Sequence, residues 1–114
     1  MGGRAGGGAR LGSGGRNAYR TSFNSTYNSA VNEINGVIAD VTSKSRYYKS
    51  AVQYLKSEVL GEIDSKMLSQ AQKLIKDNHF AHLTPSEHNI IQKGARTKAA
   101  LKMKTKIEKA LKSI

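Results

Sequence analysis

From Tyr19 to Val41, apolar side chains recur every three or four residues: Tyr19, Phe23, Tyr27, Ala30, Val31, Ile34, Val37, Ile38 and Val41. At about 100° per residue, all nine fall within one arc of about 120°. The pattern predicts a long amphipathic helix, despite a first half rich in Ser, Thr and Asn, which are weak helix formers. Such a stripe suits packing inside a bundle or against a second copy of the chain. A second segment is expected from near Ser45, with Tyr47, Tyr48, Ala51, Val52, Leu55 and Val59 on one face. Gly61 marks its end. A third runs from about Glu62 to Asn78 and would bury Ile63, Met67, Leu68, Ala71, Leu74 and Ile75. Tyr19, Tyr27, Tyr47 and Tyr48 lie on apolar faces and read as core residues with a wet hydroxyl. Tyr54, at the edge of its stripe, is the aromatic expected at the surface.

Thr84-Pro85-Ser86-Glu87 is the sharpest local signal. It places Thr at the N-cap, Pro at the first helical position and Glu where it completes a capping box. Ile90 and Ile91 follow, but Ala100, Met103, Ile107, Ala110, Leu111 and Ile114 form a separate stripe, roughly 140–180° away from Ile91 on a continuous wheel. The change of phase falls at Lys93-Gly94. It predicts a short helix over 85–93 and a basic amphipathic last helix over about 97–112; a single helix bent at Gly94 is the alternative. The expected fold class is all-α, a single domain over residues 18–114 built as a small bundle of four to five short amphipathic helices.

Composition separates the first 17 residues from this domain. Eight of the 11 glycines lie in residues 2–15, among Arg4, Arg10 and Arg16, with Leu11 as the one apolar anchor. Ordering so much glycine is entropically costly, so a disordered Gly/Arg-rich arm is expected. It reads either as a cationic arm similar to the RGG segments that bind single strands or as a plain tether. Gly2-Gly3-Arg4, followed by Ala5-Gly6-Gly7, also resembles the glycine-rich GGRG-type segment of small tailed-phage and prophage proteins associated with the minor head or morphogenesis. Ala5 stands where that segment usually has glycine. The resemblance covers residues 1–16, implies a phage or prophage origin, and brings no functional residue with it.

Charge is segregated along the chain. There are 19 Lys and Arg against 8 Asp and Glu, a net charge of +11. Residues 1–20 carry +4 and residues 92–114 carry +7, whereas the middle is close to neutral. Two basic ends form an electrostatic footprint for a polyanion, most often nucleic acid; the competing reading is a merely solvated basic surface. On the last helix Lys98, Lys102, Lys106, Lys109 and Lys112 share an arc of about 120°, nearly opposite the apolar stripe. Their mutual repulsion, relieved only by Glu108, would fall if the row lay along phosphates, and released counterions would drive association. Lysine is a compact point charge suited to phosphate more than to base edges, so binding without sequence specificity follows. A basic amphipathic helix also suits an anionic membrane surface, but its apolar face has no Trp or Phe. No stretch is long and apolar enough for integral membrane association.

Catalytic chemistry finds no foothold in these residues. With no Cys there is neither a disulfide scaffold nor a thiolate site, and the expected setting is the cytoplasm, or a virion if the chain is phage-derived. His79, His82 and His88 straddle an expected helix end, a loop and a new helix, a poor frame for zinc. Glu58, Glu62 and Asp64 are interrupted by Gly61, and the glycine tail lacks the GK[ST] ending of a phosphate-binding loop. A non-enzyme with no cofactor and no metal is expected. The leading expectation is a nucleic-acid-binding protein contacting phosphates through Arg4, Arg10, Arg16 and Arg20 from one end and Lys93, Arg96, Lys98, Lys102, Lys106, Lys109 and Lys112 from the other. The alternative is a structural or assembly protein, a homo-oligomer or partner complex of a phage particle, with the first helix as its interaction face.

Overall fold

The computed structural model describes residues 17–78 and 81–114, and among these the chain is all-α. The arm expected at the N-terminus, with Arg4, Arg10, Arg16 and the phage-like segment, lies outside the described residues. Helix α1 (Ala18–Thr42) begins at Asn17, whose side-chain oxygen accepts from the Arg20 backbone N–H at 3.1 Å. The Asn17 amide nitrogen donates to the Ile75 carbonyl at 2.9 Å. One side chain thus satisfies an orphan donor at the start of α1 and an orphan acceptor near the end of another helix.

After α1 the chain reverses at Lys44, the one non-glycine residue with positive φ (53°) among those described. Helix α2 (Tyr48–Gln53) then runs without interruption into a π-helical turn (Tyr54–Val59) and a 3₁₀ turn (Leu60–Glu62). Helix α3 (Ser65–Asp77) starts three residues later than the pattern predicts. The reason is local: the Asp64 carboxylate caps the backbone N–H groups of Lys66 and Met67, both at 3.1 Å. Helix α4 (Pro85–Lys112) starts at the expected capping box.

Cross-contacts fix the directions. Tyr19 bonds to Glu87, Lys98 sits over Phe23 and Tyr27, and Lys44 reaches Ser113, so α1 and α4 run parallel. Helices α1 and α4 pack directly on each other, and the α2–α3 rod returns antiparallel to both, α3 lying chiefly against α4, with Asp64 meeting Thr97 and Ile75 meeting Asn17. Two cores result. Tyr19, Phe23, Ala71, Ile91 and Ala95 form one; Ile34, Val41, Ala51, Leu55, Val59, Ala99, Ala100, Met103, Ile107 and Ala110 form the other.

Helix α4 serves both cores, and here the structure corrects the expected pair of helices. There is no break between 85–93 and 97–112; α4 is continuous for 28 residues. Ile91, Ala95, Ala99, Met103 and Ile107 are all buried at four-residue spacing. Each such step advances about 40° around the helix, so the buried ridge winds from one core to the other. The apparent change of phase is this rotation. Gly94 is no helix terminus either. A Cβ there would stand 2.5 Å from the Ala71 Cβ and 3.1 Å from the Met67 carbonyl, so the glycine allows close approach of α3. Nor are all the helices short: α1 has 25 residues.

Two tyrosines exchange their expected places. Tyr47 precedes α2 and is 54% exposed, whereas Tyr54, the first residue of the π turn, is half-buried.

Candidate nucleic-acid interface

Continuity of α4 makes its lysines a single rigid array. Lys98, Lys102, Lys106, Lys109 and Lys112 are all exposed. At 1.5 Å per residue, the row from Lys98 to Lys112 is about 21 Å long, with steps of about 4.5–6 Å. Its upper end is anchored: the Lys98 ammonium lies 5.0 Å from the Tyr27 ring centroid and 5.6 Å from that of Phe23. Arg20 is exposed on the first turn of α1, on the same flank of that helix as Asn24, Asn28 and Asn35, which are exposed too. These positions lie about 140–180° from Glu33 on the helical wheel, so the carboxylate faces away from them.

The lower end gains two bases that the sequence pattern did not single out. Reversal at Lys44 brings its ammonium to 3.5 Å from the Ser113 carbonyl at the foot of α4, and over the Tyr48 ring at 5.3 Å. Arg46 follows in the same turn, exposed, with its guanidinium 4.9 Å from the Tyr47 ring centroid. Both sit in a stretch of near-neutral net charge. Only the parallel arrangement of α1 and α4 places them at the end of the row.

Lys93 and Arg96 go elsewhere. They line a cleft of about 430 Å³ on the opposite side of α4, together with Glu33, Glu58, Glu62 and Asp64. Half of the chain's eight carboxylates converge there, so the charge of these two bases is balanced locally. Tyr54 lines the same cleft. Burial, followed by its hydrogen bond to Glu33 and the nearby carboxylate charge, pushes its phenol above the usual value, with Arg96 opposing. Thr97, nearly fully buried, accepts from the Asp64 N–H at 3.2 Å and ties the cleft floor to the start of α3.

The sites weighed for metal chemistry are not assembled among the described residues. No group of three His, Cys, Asp or Glu side chains is placed to hold an ion. His82 and His88 are exposed, and His79 lies outside the described residues. No described helix is long and apolar enough to cross a membrane. Comparison with protein-family models, with curated proteins and with solved structures gave no match.

Proposed function

We propose that this protein binds nucleic acid without sequence specificity, through phosphate contacts from the lysine face of α4. The observation that carries the reading is the sorting of charge by the fold. Five lysines project from one face of one uninterrupted helix, while half the carboxylates are gathered in a cleft on its other side. Arg20 extends the face at one end, and Lys44 and Arg46 extend it at the other. A row of point charges without planar hydrogen-bonding forks along it suits phosphate and offers little to base edges. The apolar stripe of α1, which an assembly role would present to a partner, packs here against the chain's own cores.

The test is fluorescence anisotropy of labelled oligonucleotides between 50 mM and 200 mM salt. Engaging about five phosphates gives a log–log slope near −4.5 on a duplex. Lys102→Glu with Lys106→Glu should flatten that slope by about 2. Arg4, Arg10 and Arg16 changed together to Ala measure what the N-terminal arm adds. Absence of binding at 50 mM by the unaltered chain overturns the reading and turns the search toward a protein partner.

A further inference from the structure

Resting on that reading, we infer that the lysine face takes double-stranded rather than single-stranded nucleic acid. Proteins that hold single strands without sequence preference pair a basic groove with aromatic faces on which successive bases stack. Among the described residues this face presents no open aromatic platform, and the cleft described above lies on the other side of α4. Among the described residues the aromatic rings in contact with the row are Phe23, which is buried, and Tyr27, which is half-buried; the Lys98 ammonium lies over both. The surfaces on which bases would stack are therefore already occupied by a cation. Tyr47 is the one strongly exposed aromatic among the described residues, and it lies in the α1–α2 turn at the foot of the molecule. The Arg46 guanidinium covers one of its faces and donates to its hydroxyl at 2.6 Å.

Shape points the same way. The lysines stand on the convex surface of a 28-residue helix, while the described cleft lies on the other side, lined by carboxylates. A flexible strand laid along a convex row would have to give up its own conformational freedom without gaining a groove or a stack. A duplex is already a rigid rod with phosphates at fixed intervals. A row of about 21 Å matches roughly six base pairs at 3.4 Å each. Asn24, Asn28 and Asn35, exposed beside the row on α1, add uncharged amide donors of the kind that bond phosphate oxygens.

The experiment sets the full chain against a labelled 20-base-pair DNA duplex and an unstructured oligothymidine of the same length, each across a salt series. The duplex is expected to bind at least about tenfold more tightly at 100 mM salt, with a slope near −4.5 that flattens in the Lys102→Glu/Lys106→Glu variant. Circular dichroism checks that this variant keeps its helices. Equal or tighter binding of the single strand, still weakened by the two Lys→Glu changes, overturns the duplex inference and leaves the phosphate-binding reading standing. Duplex binding that the two changes leave untouched overturns the assignment of the face. Binding of neither probe overturns both.

Discussion

Gly36 and Gly94 both sit inside helices and should answer the same substitution in opposite directions. Nothing lies within 4 Å of a Cβ built at Gly36, so Gly36→Ala removes only backbone freedom and should stabilise by about 0.5–1 kcal/mol. At Gly94 the added methyl meets the Ala71 Cβ at 2.5 Å, and forcing α3 away should cost about 1–3 kcal/mol, more than the helix-propensity gain returns. Urea unfolding of the two variants checks both signs, and Ala71→Gly should recover part of the loss in Gly94→Ala. Glu87 supplies a second residue-scale test. One of its carboxylate oxygens accepts from the Thr84 N–H at 3.2 Å, the Tyr19 hydroxyl at 2.9 Å and the Thr84 hydroxyl at 3.0 Å. Those bonds, the Thr84 backbone donor foremost, hold its carboxyl below the ordinary value. A lowered value means that the stabilisation is complete above about pH 4.5 and is lost as pH falls through the folded-state value. Glu87→Gln should therefore be less stable at pH 7 and lose less on acidification, as unfolding curves at stepped pH would show. The capping box itself was legible in four consecutive letters because a cap is local. The partner of Gly94 was not, since only tertiary packing brings Ala71 beside it.

At the scale of elements, α1 was readable almost to its ends because its buried stripe keeps one phase throughout. Helix α4 was misread because its stripe does not. The ridge from Ile91 to Ile107 turns steadily as the helix passes from one core to the other, and Ala95 and Ala99 carry the transition. A wheel that assumes one buried direction reads such rotation as two helices. In the α2 rod Leu55 and Val59 are buried as their spacing predicts, whereas Tyr54, at the edge of that stripe, is half-buried because it lines the cleft with Glu33 of α1, a tertiary contact that no local pattern carries. The turn between α1 and α2 offers the test belonging to this scale. Lys44 holds a left-handed backbone (φ 53°) that a side chain makes unfavourable by roughly 1–2 kcal/mol, and glycine would relieve it. Lys44→Gly should raise stability by about 1 kcal/mol, yet weaken nucleic-acid binding and flatten its salt slope by about 0.9. Thermal melts and salt titrations of the same variant separate the two effects.

For the molecule as a whole, the sequence showed how much charge there was, and folding decided which charges stand together. The lysine row could be read from its helical spacing. The gathering of Glu33, Glu58, Glu62 and Asp64 with Lys93 and Arg96 could not, because these residues come from α1, the π turn and its exit, and α4. Lys106→Ala should accordingly flatten the salt slope by about 0.9, whereas Lys93→Ala should leave it nearly unchanged, in parallel anisotropy titrations. The winding ridge of α4 has a consequence of its own for how the molecule opens. Since one helix closes both cores, neither can come apart while α4 stays docked, and loosening α4 exposes both at once. Amide hydrogens along Ile91–Ile107 should then exchange with solvent at one shared, slowest rate, reporting a single opening event in place of two local ones.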